Sequence, residues 1–241
     1  MKPGPRTRNQ LARLARTWKQ GEHVLISGAT GSGKTVLARH IDQIRISNGG
    51  FVVVFVNKLT DDPTLLRDYP QSLGWVRWER MKKTAAPHEN MVLLWPNTDK
   101  EKTLQDKLAL QRKVFSEAMD ILSQVGKWTV HIDEGLYFCS PQFLNLAGDL
   151  AILHAMGRSA GLSIVTLMQR PSNVPLIIYG SASNAFIGRS RERSDLQRLS
   201  ELGGKTSAKE LEVRIASQGR HDFLWIPVST DGNPETVNLS R

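Results

Sequence analysis

The sequence predicts an α/β protein with a doubly wound, mostly parallel sheet. Three observations point there. Apolar runs of strand length alternate with segments whose apolar residues recur at helical spacing. One run, Phe51-Val52-Val53-Val54-Phe55-Val56, is apolar throughout, as a central parallel strand covered on both faces requires. The stretch Gly28-Ala29-Thr30-Gly31-Ser32-Gly33-Lys34-Thr35 fits the phosphate-loop pattern G-x-x-x-x-G-K-[ST], which joins a strand to a helix.

The elements follow in order. Residues 1–8 hold Pro3, Gly4, Pro5 and basic residues and read as a flexible arm. Asn9 to Gln20 reads as a helix with Leu11, Leu14, Ala15 and Trp18 on one face. Residues 1–20 are therefore expected to form a basic arm and helix, 21–228 one α/β domain and 229–241 a tail. Glu22 to Ser27 is the strand that enters the phosphate loop. The helix that leaves it runs from Lys34 to about Ser47, closed by Asn48-Gly49-Gly50.

After the strand 51–56, residues 57–90 read as irregular. There Lys58, Arg67, Arg77, Arg80, Lys82 and Lys83 interleave with Tyr69, Trp75 and Trp78, a mixture that suits either a nucleic-acid surface or aromatic packing under a loop. Met91 to Trp95 is a strand stopped by Pro96. Lys100 to Gln124 is a long helix closed by Gly126, and Trp128 to Ile132 is a strand ending in Asp133-Glu134. His131 lies inside that strand and reads as a sheet histidine, because no metal-spaced partner lies near it. Phe143 to Ser159 reads as a helix, Leu162 to Met168 and Asn184 to Gly188 as strands, 196–202 and 209–214 as short helices, and His221 to Pro227 as the last strand.

Length and charge set limits. The chain has 241 residues, enough for one α/β domain with a sizeable core. Its formal net charge is +9, which suggests a polyanionic partner, nucleic acid first. Cys139 is the only cysteine, so no disulfide forms within the chain; in the run Leu136-Tyr137-Phe138-Cys139 it reads as a packed thiol. No apolar run has the length of a membrane span, and no secretory signal is expected.

The residue types in the motifs point to nucleotide chemistry. Backbone N–H groups of Gly28, Ala29, Thr30, Gly31, Ser32 and Gly33 can cradle phosphates, and the following helix points its positive end at the same anion. Lys34 can reach the β- and γ-phosphates of ATP, and the Thr35 hydroxyl can ligate Mg²⁺. Asp133, at the end of an apolar strand, is placed to hold the same ion. Glu134 is placed to orient and deprotonate an attacking water. Gln169 follows another strand and can sense the γ-phosphate. All of these fall at strand carboxyl ends, where doubly wound sheets bind ligands.

The run Gly157-Arg158-Ser159-Ala160-Gly161-Leu162-Ser163-Ile164-Val165-Thr166-Leu167-Met168-Gln169-Arg170-Pro171-Ser172 resembles the G-R-x-x-G-[hydrophobic]-T-Q-R-P pattern of FtsK–HerA motor ATPases. Leu167-Met168 separates Thr166 from Gln169, a departure from that pattern. Together with the phosphate loop and the Asp133-Glu134 pair, the resemblance spans roughly residues 22–228. It implies a RecA-like P-loop NTPase fold and ATP-driven movement of double-stranded DNA. It also implies a pentameric or hexameric homo-oligomeric ring docked on a portal, membrane or capsid protein. In such rings a neighbouring subunit donates an arginine beside the γ-phosphate; Arg189 is placed first for that role, ahead of Arg191 and Arg193. The size of the chain is similar to viral genome-packaging or DNA-transfer members, with a place in the cytoplasm or in the virion of an infected host. Two other readings stay open from the residues alone: a P-loop kinase or transferase with residues 57–90 as its lid, and a nucleotide-dependent switch.

Overall fold

The computed structural model describes residues 5–60, 65, 67, 69–202, 206–230 and 232–239. Its strands are β1 (His23–Ser27), β2 (Phe51–Phe55), β3 (Val76–Trp78), β4 (Met91–Leu94), β5 (Trp128–Ile132), β6 (Ser163–Met168), β7 (Ala182–Gly188), β8 (Asp222–Ile226) and β9 (Glu235–Asn238). They form one sheet in the order β3-β4-β2-β5-β6-β1-β7-β8-β9. From β3 to β7 every pairing is parallel; β8 and β9 run antiparallel.

Helices cover both faces, as the alternating pattern requires. On one face α1 (Pro5–Thr17) and α2 (Lys34–Ser47) pack Leu11, Leu14, Leu37 and Ile41 against Val24, Ile26, Val165, Leu167, Phe186 and Trp225. On the other, α3 (Leu104–Val125) and α5 (Ala147–Ala160) pack Val114, Phe115, Leu122, Leu150 and Leu153 against Leu25, Val130, Ile132 and Ile164. Each such side chain contributes about 1.5–3 kcal/mol when fully buried. Between them lies the short helix α4 (Gly135–Cys139), which begins directly after Glu134. Three further short helices follow among the described residues: α6 (Leu176–Gly180), α7 (Arg193–Ser200) and α8 (Ala208–Ala216). The Thr103 side chain caps α3 by accepting from the Asp106 N–H. Cys139 is buried and unpaired, and burial pushes its thiol up to about 11.

Both chain ends differ from expectation. The helix expected from Asn9 begins at Pro5, where a missing N–H costs nothing at a first helical position. Residues 1–4 of the expected arm lie outside the described residues. The expected tail contains β9, whose single inward apolar residue, Val237, is fully buried. The two ends hold each other. The Thr7 hydroxyl donates to Asn238 O at 2.8 Å, Gln10 Nε2 donates to Thr236 O at 3.1 Å, and Arg13 pairs with Glu235 at 2.6 Å. Helix α1 thereby covers the last edge of the sheet, a surface that would otherwise template pairing with another chain.

The segment 57–90 carries a strand, β3, that its polar sequence hides. Its aromatics are structural. Tyr69 and Trp78 are buried, the Arg77 guanidinium lies 4.4 Å over the Trp95 ring, and the Lys82 ammonium lies 4.4 Å over Trp78. Arg77 and Lys82 of this segment thus stack on rings of the chain itself. Glu89 fastens the segment: its carboxylate accepts from Ala86 N at 3.0 Å, Trp78 Nε1 at 3.0 Å and Lys82 Nζ at 3.2 Å.

These donors, the Ala86 N–H foremost, lower the Glu89 carboxyl from 4.5 to about 2. A carboxyl whose folded pKa is depressed stabilises fully above its unfolded value, and the contribution is lost as pH falls through the folded one. Glu89→Gln is therefore expected to lower the melting temperature at pH 7, with the gap to the unaltered protein closing between pH 4.5 and about 2. Thermal melts across that range check it; a gap that does not change with pH refutes the assignment.

Candidate nucleotide site

The phosphate loop leaves β1 at Ser27 and is fastened at once, because Gly28 N donates to Met168 O at the end of β6 (3.1 Å). Gly31 and Gly33 have φ of 74° and 98°, backbone that only glycine adopts without strain. Gly33 stands at the N-cap of α2 without a side-chain cap, leaving the helix's first N–H groups directed to the loop. Lys34 is buried and its ammonium folds over the loop, donating to Gly28 O at 2.8 Å and Ala29 O at 3.1 Å. Burial lowers its pKa, opposed by the charges of Glu134 and Asp133.

The adjacent strands bring the other expected residues to the same edge. Asp133 follows β5, and its Oδ1 lies 3.5 Å from the Thr35 hydroxyl. Glu134 caps α4, accepting from Leu136 N at 3.4 Å. Desolvation raises the Glu134 pKa, against the Leu136 N–H, Lys34 and Gln169, which lower it. Gln169 follows β6 and bridges the two halves of the site: its Oε1 accepts from the Thr30 hydroxyl at 2.8 Å, and its side chain also hydrogen-bonds Glu134. Lys34, Thr35, Asp133, Glu134 and Gln169 thus meet at one place on the sheet.

A cleft of about 620 Å³ opens over the loop, lined by Gly28, Thr30, Ser32, Gln169, Arg189 and Arg220 among others. That volume suits a nucleotide-sized ligand. The Ser32 hydroxyl is buried without a hydrogen-bond partner in the cradle, a donor that a phosphate oxygen would satisfy. The donor set also fits Mg²⁺. Thr35 and Asp133 offer two hard oxygens, and among the described residues no three His, Cys, Asp or Glu groups gather to hold a metal by themselves. Such a pair suits an ion that takes its other ligands from phosphate and water.

Arg189, expected beside the γ-phosphate of a neighbouring subunit, lines the cleft of its own chain. The reason is strand order. β7 lies beside β1, and Gly188 packs so closely on Ser27 O and Gly28 that a Cβ there would sit 3.2 Å from the Ser27 oxygen; the next residue emerges beside the phosphate loop. Arg191 lines the same cleft, and Arg170 is bound to the buried Asp195 at 3.0 Å.

Two residues at the site were not expected. Because β8 runs antiparallel, its beginning lies at the carboxyl edge of the parallel strands. The preceding turn therefore places Arg220 in the cleft and His221 Nδ1 3.1 Å from Ser32 O. The turn is fixed by Asp222, whose Oδ2 accepts from Gly219 N at 3.1 Å. A final strand after a parallel block is the sequence signal that could have drawn notice to the residues just before it.

No family model matches the chain, and no curated protein is matched by sequence. Solved structures are. B204, the DNA-packaging ATPase from Sulfolobus turreted icosahedral virus, superposes with a TM-score of 0.61 at 19% identity, covering 91% of this chain and 98% of that one. The genome-packaging NTPase B204 from Sulfolobus turreted icosahedral virus 2, in complex with ATP-γS, gives 0.57 at 16% identity, covering 90% and 96%. The bacterial conjugative coupling protein TrwB gives 0.56 at 12% identity, covering 96% and 91%. At these identities the likeness is one of fold: the chain has the P-loop NTPase fold that the resemblance to FtsK–HerA ATPases implied.

Proposed function

We propose that this chain is an ATP-driven motor that moves double-stranded DNA, in genome packaging or DNA transfer. The observation that carries it is the meeting of Lys34, Thr35, Asp133, Glu134 and Gln169 at one sheet edge beside the phosphate loop, with Gln169 also lining the cleft over it. The fold shared with packaging and conjugation proteins and the charge of +9 supply the DNA half of the reading. No helix among the described residues is long and apolar enough to cross a membrane.

In this reading the loop amides and Lys34 hold the triphosphate, and Thr35 and Asp133 hold Mg²⁺. Bound there, the ion neutralises charge on the β- and γ-phosphates. Glu134 accepts a proton from water as the water oxygen bonds to the γ-phosphorus. The bond from that phosphorus to the leaving ADP oxygen breaks, giving ADP and phosphate. A carboxylate with a raised pKa is a better base for that step than an ordinary one. Gln169 touches both the loop and Glu134, so it couples the presence of phosphate to the base. Arg189 and Arg220, carried on the same chain, meet charge that develops on the phosphate oxygens.

Long duplex DNA of any sequence is expected to stimulate ATP hydrolysis, with the stimulation falling steeply as salt rises. Glu134→Gln should still bind ATP and lose about 10²–10⁴-fold in turnover. Hydrolysis indifferent to DNA, or transfer of phosphate to a small acceptor, would count against a motor. Arg189→Ala should bind nucleotide and lose hydrolysis. Mixed with unaltered subunits, it should reduce activity in proportion to its fraction, since the arginine serves its own cleft; a much steeper fall would mark donation to a neighbour. Arg220→Ala should raise the KM for ATP about tenfold, the loss of one charge-assisted contact; an unchanged KM removes Arg220 from the site.

A further inference from the structure

The turn that follows β6 carries Gln169, and it is held from outside the site. Gln169 meets Thr30 through its side chain, and Glu134 through both its side chain and its backbone N–H. The chain then passes Arg170 and the short turn Pro171–Asn173. Helix α7 packs on that turn and grips it in two ways. Asp195, in the first turn of α7, accepts from the Ser172 N–H at 3.1 Å through Oδ1 and pairs with Arg170 Nε at 3.0 Å through Oδ2. Three residues on, the Arg198 guanidinium lies 5.6 Å over the Tyr179 ring, and the Tyr179 hydroxyl donates to Pro171 O.

A carboxylate is an unfavourable group in this place. Asp195 is 2% exposed, yet it lines the cleft over the phosphate loop together with Arg170, Arg189, Arg191 and Arg220. It repels any anionic ligand bound there. As a device for stability it is weak, because its partner Arg170 is 47% exposed and a half-solvated ion pair contributes little.

Its geometry is specific. One oxygen fixes the backbone of Ser172 and the other fixes the side chain of Arg170, the residue next to Gln169. The turn is thereby pinned at two points, and Gln169 is kept from swinging away from Glu134. Arg170 also lines a second groove, of about 240 Å³, together with Glu134, Gln169 and Tyr137. It thus borders both the cleft over the loop and the groove that Glu134 faces.

We propose that Asp195 is a positioning residue for the hydrolytic step. Acting through Ser172 and Arg170, it holds the turn after β6 so that Gln169 meets Thr30 and Glu134 together. Helix α7 follows the segment that carries Arg189 and Arg191, so the same contacts join the wall of the cleft built after β6 to the wall built after β7. This inference rests on the nucleotide reading of the site.

The test is steady-state ATP hydrolysis by the full chain with duplex DNA present, beside binding of a fluorescent, non-hydrolysable ATP analogue. Asp195→Ala removes both contacts and leaves Arg170 able to reach water. It is expected to bind the analogue as the unaltered chain does and to keep KM within about twofold, while kcat falls about 10–100-fold, the penalty of a misplaced group. Asp195→Asn keeps an oxygen for the Ser172 N–H and gives up only the charge that holds Arg170. It should lose less, about tenfold at most, and serves if the alanine variant does not fold. A double-mutant cycle with Gln169→Ala separates positioning from a general loss of structure. Acting through Gln169, Asp195 should cost less than about twofold further once Gln169 is gone, whereas independent effects add. A full second loss in the double variant, or a kcat unmoved by the folded Asp195 variant, overturns the positioning role alone. So does failure of both Asp195 variants to fold, which marks a structural residue. No hydrolysis by the unaltered chain, or an unaltered rate in Glu134→Gln, overturns the nucleotide reading and this inference with it.

Discussion

An ammonium group enclosed by protein is costly, and much of the site can be traced to the one on Lys34. Lys34 is buried, and burial works against its charge. Two things offset that cost: the carbonyls of Gly28 and Ala29, which accept from it, and the nearby carboxylates of Glu134 and Asp133. The carboxylates can face Lys34 because β5 is parallel to β6, and β6 to β1, so the three strands end together. Parallel pairing here does more than fill a core. It gathers opposite charges from distant parts of the chain into one low-dielectric cleft, where each is stronger than it would be in water.

The central part of the fold was legible in the sequence because its elements state themselves. β2 is an unbroken apolar run, β5 places Trp128, Val130 and Ile132 at alternate positions, and α2 and α3 have full helical periodicity, so their positions agree with the sequence to within a few residues. Elements with mixed composition were not legible. β3 is three residues with Arg77 in the middle, and β9 carries one buried apolar residue among polar ones. Such edge strands draw their stability from a neighbour already in place, which no local pattern displays. The short helices α4 and α6 are too brief for periodicity to reveal.

The candidate site divides the same way. Residues set by a local motif, from Gly28 to Thr35 and at Asp133-Glu134, could be read directly. Arg189 could be singled out, but which cleft it serves depends on β7 lying next to β1, a fact of strand order. Arg220 and His221 depend on the reversal of β8, so no spacing along the chain announces them. His131 was read as an ordinary sheet histidine, and it is buried as that reading implies. What the sequence withheld was its hydrogen-bond partner Asp42, separated from it by 89 residues and brought to it only by the packing of α2 on β5.

The joining of the two chain ends bears on the order in which the protein can be completed on the ribosome. Thr7 is made 231 residues before its partner Asn238. Helix α1 must therefore wait, with Leu14 and Trp18 incompletely covered, until β9 has been made. The same delay holds for Ser32, whose carbonyl faces His221. A nascent chain that has not yet reached β8 has the phosphate loop without the wall that Arg220 and His221 supply, so the cleft takes its finished shape only after β8 has been made.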